Sequence, residues 1–350
     1  MPLQPHLKRV IEDRETLTRE EAASLMRQLL TGDLNEIQLA ALLAAFATRG
    51  ETPAEIAGFV DTMRAAATPI PLTDAERITL VDTCGTGADL SGTFNISTAA
   101  ALVAAAAGAA AAANIMVAKH GNRAVTSQCG SADVLEALGI PVGLSPAEGA
   151  ASLRQHRFAF FHAPALHPAM KIVMPVRRAL GIRTIFHLVG PLSNPAGARA
   201  QVMGVYAPHL VSRAAEAMAI LGTRHAFVVH GETGSSSAGL DEFSISGPSH
   251  IAEVCGTTIT LSTIVPEDLG LRRAPIDSLR GGDAATNAAI LKAIFNGEKS
   301  PRRDVVLLNA AAVLVTADLA PDLPAALLLA AKTIDSGAVA ELLAALARKD

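Results

Sequence analysis

The residues best suited to chemistry fall in four separate stretches of the chain. The first runs Cys84-Gly85-Thr86-Gly87-Ala88-Asp89-Leu90-Ser91-Gly92-Thr93-Phe94-Asn95-Ile96-Ser97-Thr98, between an apolar run and a helical pattern. Small residues there let backbone N–H groups close around an anion, and the positive end of the helix dipole adds to the attraction. The stretch has neither GxGxxG in register nor GK[ST], so taken alone it reads equally as a phosphate cradle or a tight turn. The second, Lys119-His120-Gly121-Asn122-Arg123-Ala124-Val125-Thr126-Ser127-Gln128-Cys129-Gly130-Ser131-Ala132-Asp133, brings two cations, an amide and several hydroxyls to a strand end. Such a set suits phosphate; the alternative is a solvated loop with a helix cap at Ser131.

The third stretch, Gly239-Leu240-Asp241-Glu242, places two adjacent carboxylates in a loop rich in Gly and Ser. Hard oxygen donors without His or Cys beside them suit Mg²⁺, although an Asp-Glu pair alone is ordinarily solvated surface charge. The fourth runs from His167-Pro168-Ala169-Met170-Lys171 through Arg177 to Gly190-Pro191-Leu192-Ser193-Asn194-Pro195. An arginine among apolar residues there can pair with a carboxylate in bidentate fashion, or simply sit on a helix surface. His120, His162, His167, His187 and His230 show no spacing that marks a catalytic base, and read as structural.

These stretches need a scaffold. The chain has 350 residues, half of them hydrophobic, with no Trp and one Tyr. Its length favours a large domain plus a smaller one, and its Ala and Leu favour closely packed helices over a β-sandwich. A net charge of −4 with scattered Lys and Arg argues against nucleic acid. Cys84, Cys129 and Cys255 show no CxxC spacing and read as reduced thiols. The N-terminus has no apolar signal core and the alanine run Ala99 to Ala113 is too short to span a bilayer, so a cytoplasmic protein is expected.

Three helix starts lie in the first seventy residues: Thr18 with Glu21, Asn35 with Gln38, and Thr52-Pro53-Ala54-Glu55. Ala22, Leu25, Met26, Leu29 and Leu30 share one face of the first, which Gly32 ends. Pro69-Ile70-Pro71 reads as a linker. Beyond it, strands at Ile78 to Thr83, Ile115 to Ala118 and Ala226 to Val229 alternate with helices at Ser97 to about Ala112, Ala284 to Phe295, Asp304 to Thr316 and Pro324 to Arg348. The fold class is therefore α/β, with a mainly parallel sheet and a small helical domain over residues 1–71, apart from the α/β domain over 72–350. Two glycine loops at the carboxyl ends of strands would face one crevice.

The four stretches, in this order, resemble the anthranilate phosphoribosyltransferase family, whose segments they match as GTGAD for GTGGD, NIST, KHGNR with GSADVLEALG, HPAMK with VRRALGIRTIF and GPLSNP, and GLDE. The resemblance covers nearly the whole chain. It implies a fold like that of the nucleoside phosphorylases, with helices from about 165–190 joining the helical domain, and a homodimer. It further implies that Gly85, Ala88, Asp89, Thr93, Asn95, Ile96, Ser97 and Thr98, with Lys119, His120, Gly121, Asn122, Arg123, Ala124, Val125, Thr126, Ser127 and Ser131, hold phosphoribosyl pyrophosphate. Gly85, Asn122 and Arg177 would contact anthranilate. Two Mg²⁺ ions would bind, one to Ser97 and Glu242, the other to Asp241 and Glu242. No catalytic base is implied. Ala88 stands where the family has glycine and Gln128 where lysine is common; the alanine run and the loop from Glu232 to Ala238 are both longer than usual. A pyrimidine nucleoside phosphorylase would lack GLDE and the HPAMK to GPLSNP segment, and a nucleic-acid-binding relative would lose Asn122, Arg177 or the GLDE pair.

Overall fold

A computed structural model describes residues 3–124, 128–234 and 239–347. The chain opens with helices α1 (Leu3–Ile11), α2 (Arg19–Thr31), α3 (Glu36–Arg49) and α4 (Pro53–Ala66). Thr18, Asn35 and Thr52 each accept a bond from the N–H three residues on, and Glu21, Gln38 and Glu55 each accept one from the cap's own N–H. Those reciprocal bonds satisfy donors that a helix start otherwise leaves to water, so the three expected starts are real. Helix α1 is additional, and no capping box announces it in the sequence.

After Pro69–Pro71 come α5 (Asp74–Ile78), β1 (Leu80–Gly85), α6 (Ile96–Ala110), β2 (Met116–Gly121), α7 (Ser131–Ala137), α8 (Pro146–His156) and β3 (Phe158–His162). The strand expected from Ile78 begins at Leu80, because Thr73 and Glu76 form another capping box and Ile78 ends the helix they open. Short helices α9 (Ala163–Leu166), α10 (Met174–Leu180) and α11 (Phe186–Leu192) lead to β4 (Ala200–Gly204), α12 (Leu210–Ile220), β5 (His225–Glu232), β6 (Gly239–Leu240), β7 (Ser249–Cys255) and β8 (Thr258–Ile264). Helices α13 (Ala284–Phe295), α14 (Pro301–Thr316), α15 (Leu323–Asp335) and α16 (Ala338–Ala347) complete the chain. The helical stretch expected from Pro324 to Arg348 is thus two helices, parted at Gly337, whose φ of 84° no helix continues.

The sheet runs β3-β2-β1-β4-β5-β7-β8, with β6 paired to β5. From β3 to β5 every pairing is parallel; β6, β7 and β8 are antiparallel. Alternation along each strand sends its side chains to the two faces of the sheet, and the buried residues form three clusters, the third around Leu80, Met116, Ala159 and Phe161. Val81, Val117, Phe158, Phe160, Val202, Phe227 and Val229 face α6 and α14, while Met203, Ala226 and Val228 face α12 and the N-terminal helices. The alanines of α6 are buried throughout Ala99–Ala107, and their lack of bulk lets α14 lie close against it. α10 packs on α3 and α11 on α4, so the segment after β3 shares the core of the N-terminal helices.

One buried carboxylate ties that helical unit together. Glu55 is fully buried; its oxygens lie 2.6 Å from Arg49 Nη2 and accept from the N–H groups of Leu17 and Thr52, both at 2.8 Å. Removing it strands a guanidinium and two N–H donors at once. Glu55→Ala is expected to cost about 3 kcal/mol or more, read as a lowered urea midpoint. An unchanged midpoint would mean that the pair contributes nothing net.

Candidate active site

The loop carrying Asp241 and Glu242 lies across the ends of β1 and β4, and it fits only because Gly85 and Gly204 are glycines. A Cβ on Gly204 would stand 1.5 Å from the Asp241 carbonyl oxygen, and one on Gly85 would stand 2.1 Å from its Oδ2. That closeness lets Asp241 Oδ2 accept from Gly87 N–H at 2.6 Å. Asp89 Oδ2 accepts in turn from Asp241 N–H at 3.4 Å, and its Oδ1 from Ser91 N–H at 3.2 Å. The first and third stretches therefore form one wall.

The turn between β1 and α6 is tightly wound. Gly87, Ala88, Leu90 and Gly92 all have φ between 61° and 68°. For Ala88 and Leu90, whose Cβ crowds the following carbonyl in that region, the strain is about 1–2 kcal/mol each. The alanine at 88 thus occupies a position that glycine would take freely. Its carbonyl accepts a bond from Arg183, whose guanidinium lies 4.3 Å from the centroid of the Tyr206 ring, and Tyr206 N–H donates to Thr86 Oγ1 at 3.1 Å.

The second stretch meets the first at the start of α6. Asn95 makes no cap bond to this helix; Ser97 N–H instead donates to Glu242 Oε1 at 3.0 Å. Lys119 is 2 % exposed, and its Nζ lies 2.6 Å from Thr83 O and 3.4 Å from Ser97 Oγ. Burial pushes the Glu242 carboxyl above its usual range, against the pull of Lys119. Asp241 is held well above the carboxylate range by burial and by the charges of Asp89 and Glu242. Crowded acids of this kind, with a hydroxyl and no soft donor beside them, have the chemistry of a hard divalent cation site. Among the described residues the oxygens of Asp89, Asp241 and Glu242 do not gather within 4.8 Å of one another.

The fourth stretch closes the same end of the sheet. His120 and His167 are buried with ring centroids 5.2 Å apart, and burial holds them down to about 3 and about 4, so both are neutral imidazoles. Asn194 donates to Asp82 Oδ2 at 2.9 Å and to Ala118 O at 2.7 Å, fastening the GPLSNP turn to β1 and β2. Arg177, on α10, lies 5.2 Å over the Phe186 ring and has no carboxylate partner among the described residues. Burial draws its pKa down.

Other expected residues have partners within the chain. Arg123 is engaged by Asp133 at 3.0 Å and Glu136 at 2.8 Å on α7. Asn122 Oδ1 accepts from Arg123 N–H at 2.7 Å. Gly130, rather than Ser131, is the cap of α7, and Ser131 Oγ donates to Asn122 O at 3.2 Å. Ile96 and Thr98 are buried in the first turn of α6; Thr93 Oγ1 sits 3.2 Å from Ser91 Oγ, Gly121 ends β2, and Ala124 N–H donates to Asp133 Oδ2. Val125, Thr126, Ser127 and the serine stretch 235–238 lie outside the described residues. Asp82 lies outside the four stretches, and Asn194 and Arg183 lie within the fourth with no role assigned to them; the burial of Asp82 and Asn194 is visible only in three dimensions.

Comparison with known proteins identifies the family. Residues 77–340 match the glycosyl transferase family a/b domain and residues 4–67 its helical bundle domain. Anthranilate phosphoribosyltransferase from Chloroflexus aggregans is 49% identical over 332 residues, covering 94% of this chain and 93% of that protein. The enzyme from Anaeromyxobacter sp. strain Fw109-5 is 46% identical over 344 residues, 98% of this chain and 97% of that one. The crystal structure of the Thermus thermophilus enzyme superposes with a TM-score of 0.88 at 41% identity, over 97% of this chain and 98% of that chain. A Saccharomyces cerevisiae anthranilate phosphoribosyltransferase in complex with PRPP and Mg shares the fold, with a TM-score of 0.85 at 24% identity over 98% and 96% of the two chains. The chain belongs to the anthranilate phosphoribosyltransferase family, and its activity is that of tryptophan biosynthesis.

Proposed function

We propose that the crevice between the strand ends and α10–α11 takes both substrates, phosphoribosyl pyrophosphate (PRPP) on the β1–α6 and β2–α7 loops and anthranilate against Asn122, Gly85 and Arg177. The observation that carries this reading is Arg177, a largely buried guanidinium without a carboxylate partner among the described residues. A bidentate carboxylate would satisfy it. In the reaction, the amine nitrogen bonds to ribose C1, the bond from C1 to the pyrophosphate oxygen breaks, and the nitrogen then releases a proton to solvent. Attack opposite the leaving group turns an α-configured donor into a β-linked product.

Anthranilate brings a neutral aryl amine, so the chain need not supply a strong base. Its contribution is position and field: Arg177 and Asn122 hold the acceptor, and the N–H groups at the start of α6 face the leaving group. Ser97, Asp241 and Glu242 have the oxygen donors to hold two Mg²⁺ ions, and the divergence of Asp241 toward Gly87 and of Glu242 toward Ser97 supports separate positions. Mg²⁺ bound there would neutralise charge on the pyrophosphate. The yeast enzyme was solved with PRPP and Mg, which accords with that assignment. The sharing of one core by α3, α4, α10 and α11 supports a helical unit of residues 1–71 joined by about 165–190. The functional unit we infer is a cytoplasmic homodimer.

Loss of anthranilate fluorescence on mixing the protein with PRPP and Mg²⁺, abolished by EDTA, tests the reaction directly; no loss in folded protein would shift the acceptor to another amine or base. Arg177→Ala should raise the anthranilate KM roughly 10- to 100-fold, the size of one charge-assisted contact, with the PRPP KM unchanged. An unaltered anthranilate KM would remove the assigned contact. Replacing Asp241 and Glu242 together with alanine should abolish Mg²⁺-dependent turnover while the circular dichroism stays native, and full activity would overturn the metal assignment.

A further inference from the structure

A second set of ligating side chains sits at the opposite end of the sheet from the crevice. His225 begins β5, Cys255 ends β7, and the two are directly paired across the antiparallel ladder. Glu253 lies two residues before Cys255, so the strand period puts all three side chains on one face. Their ligand atoms fall within 4.8 Å of one another, with His225 Nε2 and Glu253 Oε1 at 2.8 Å. On the other side of the imidazole, Asp318, in the turn after α14, presents Oδ1 3.7 Å from His225 Nδ1, while its Oδ2 pairs with Arg224.

The donor set differs in kind from the crevice. An imidazole, a thiol and a carboxylate select zinc and its neighbours over magnesium. At 3.7 Å the Asp318 carboxylate is an ion-pair neighbour of the far ring nitrogen, and its negative charge favours a ring that carries a cation on the other nitrogen. His225 and Glu253 also line an open cleft of roughly 430 Å³ with Val315, Leu319, Ala320 and Pro321, which gives an ion a path in and leaves space for a water at a fourth position.

The geometry points to a Zn²⁺-class site held by His225 Nε2, a Glu253 oxygen and the Cys255 thiolate, with an open fourth position and with the Asp318 carboxylate close enough to act on the ring through its charge. Binding replaces the hydrogen bond between His225 and Glu253, and the thiol proton passes to solvent. The charges balance: a dication meets one thiolate and one carboxylate, while Asp318 is already offset by Arg224. The ion would pin β5 to β7 where the sheet changes from parallel to antiparallel pairing, at the strand end opposite the Gly85 and Gly204 contacts, which the register sets level with Val229.

Cobalt separates this site from the crevice, because an all-oxygen site gives no sulfur-to-cobalt charge transfer. Titrating the full chain with Co²⁺ in the presence of saturating Mg²⁺ should produce that near-ultraviolet band, and Zn²⁺ should compete it away. Cys255→Ser, at an exposed position, should lose the band yet keep its Mg²⁺-dependent turnover. His225→Ala should lose it as well, and Asp318→Asn should weaken Co²⁺ binding about tenfold. Absence of the band in the unaltered protein, or its survival in Cys255→Ser, overturns the proposal; survival would move the thiolate to Cys84 or Cys129.

Discussion

Gly85 and Gly204 stand side by side on neighbouring parallel strands, and the space their missing side chains leave is filled by the backbone and carboxylate of Asp241. The contacts of the acid pair are downstream of that approach. It puts Asp241 within reach of Gly87 and brings Glu242 over the start of α6. Were either strand to end in a larger residue, the loop would be lifted off the sheet and the acid pair would become the solvated surface charge that such pairs ordinarily are.

That compression has an electrostatic cost. Asp241 and Glu242 press like charges together in a partly dehydrated cleft, and Lys119 is buried among them with its ammonium against Thr83 O. The backbone turn beside them carries two non-glycine residues in the left-handed region. Strain and charge of this kind persist only where surrounding structure over-determines them. The surroundings here are the Ala-rich packing of α6 against α14, the Asn194 bonds to β1 and β2, and the Arg183 bridge from Tyr206 to Ala88. A neutral His120 and His167 add no charge to the balance.

What the sequence revealed follows the range of the forces involved. The starts at Thr18, Asn35 and Thr52 depend on residues three positions apart and were legible, as was the α/β alternation. Ile78 misled because its β-branched neighbours read as strand, whereas the box at Thr73 and Glu76 held it in a helix. The acid pair was legible in its type but not in its importance, which arises from glycines far away in sequence. Arg123 kept its expected place beside the loop yet turned to Asp133 and Glu136, a local competition that residue type alone does not settle. The Asp82 to Asn194 bond spans 112 positions and leaves no periodic trace.

Helix α6 shows where such long-range dependence leads. Asn95, which by type would finish the helix start, spends its side chain on Cys129 and Asn287, so the first turn is completed by Glu242, 145 positions beyond the Ser97 N–H that it accepts from. The middle of α6 can form from its own alanines, but its leading turn cannot be finished until the loop after β6 has docked. Assembly of the crevice is therefore cooperative with the last steps of the domain's closure: a chain that has built its sheet but not seated this loop has no half-made site, only a frayed helix end.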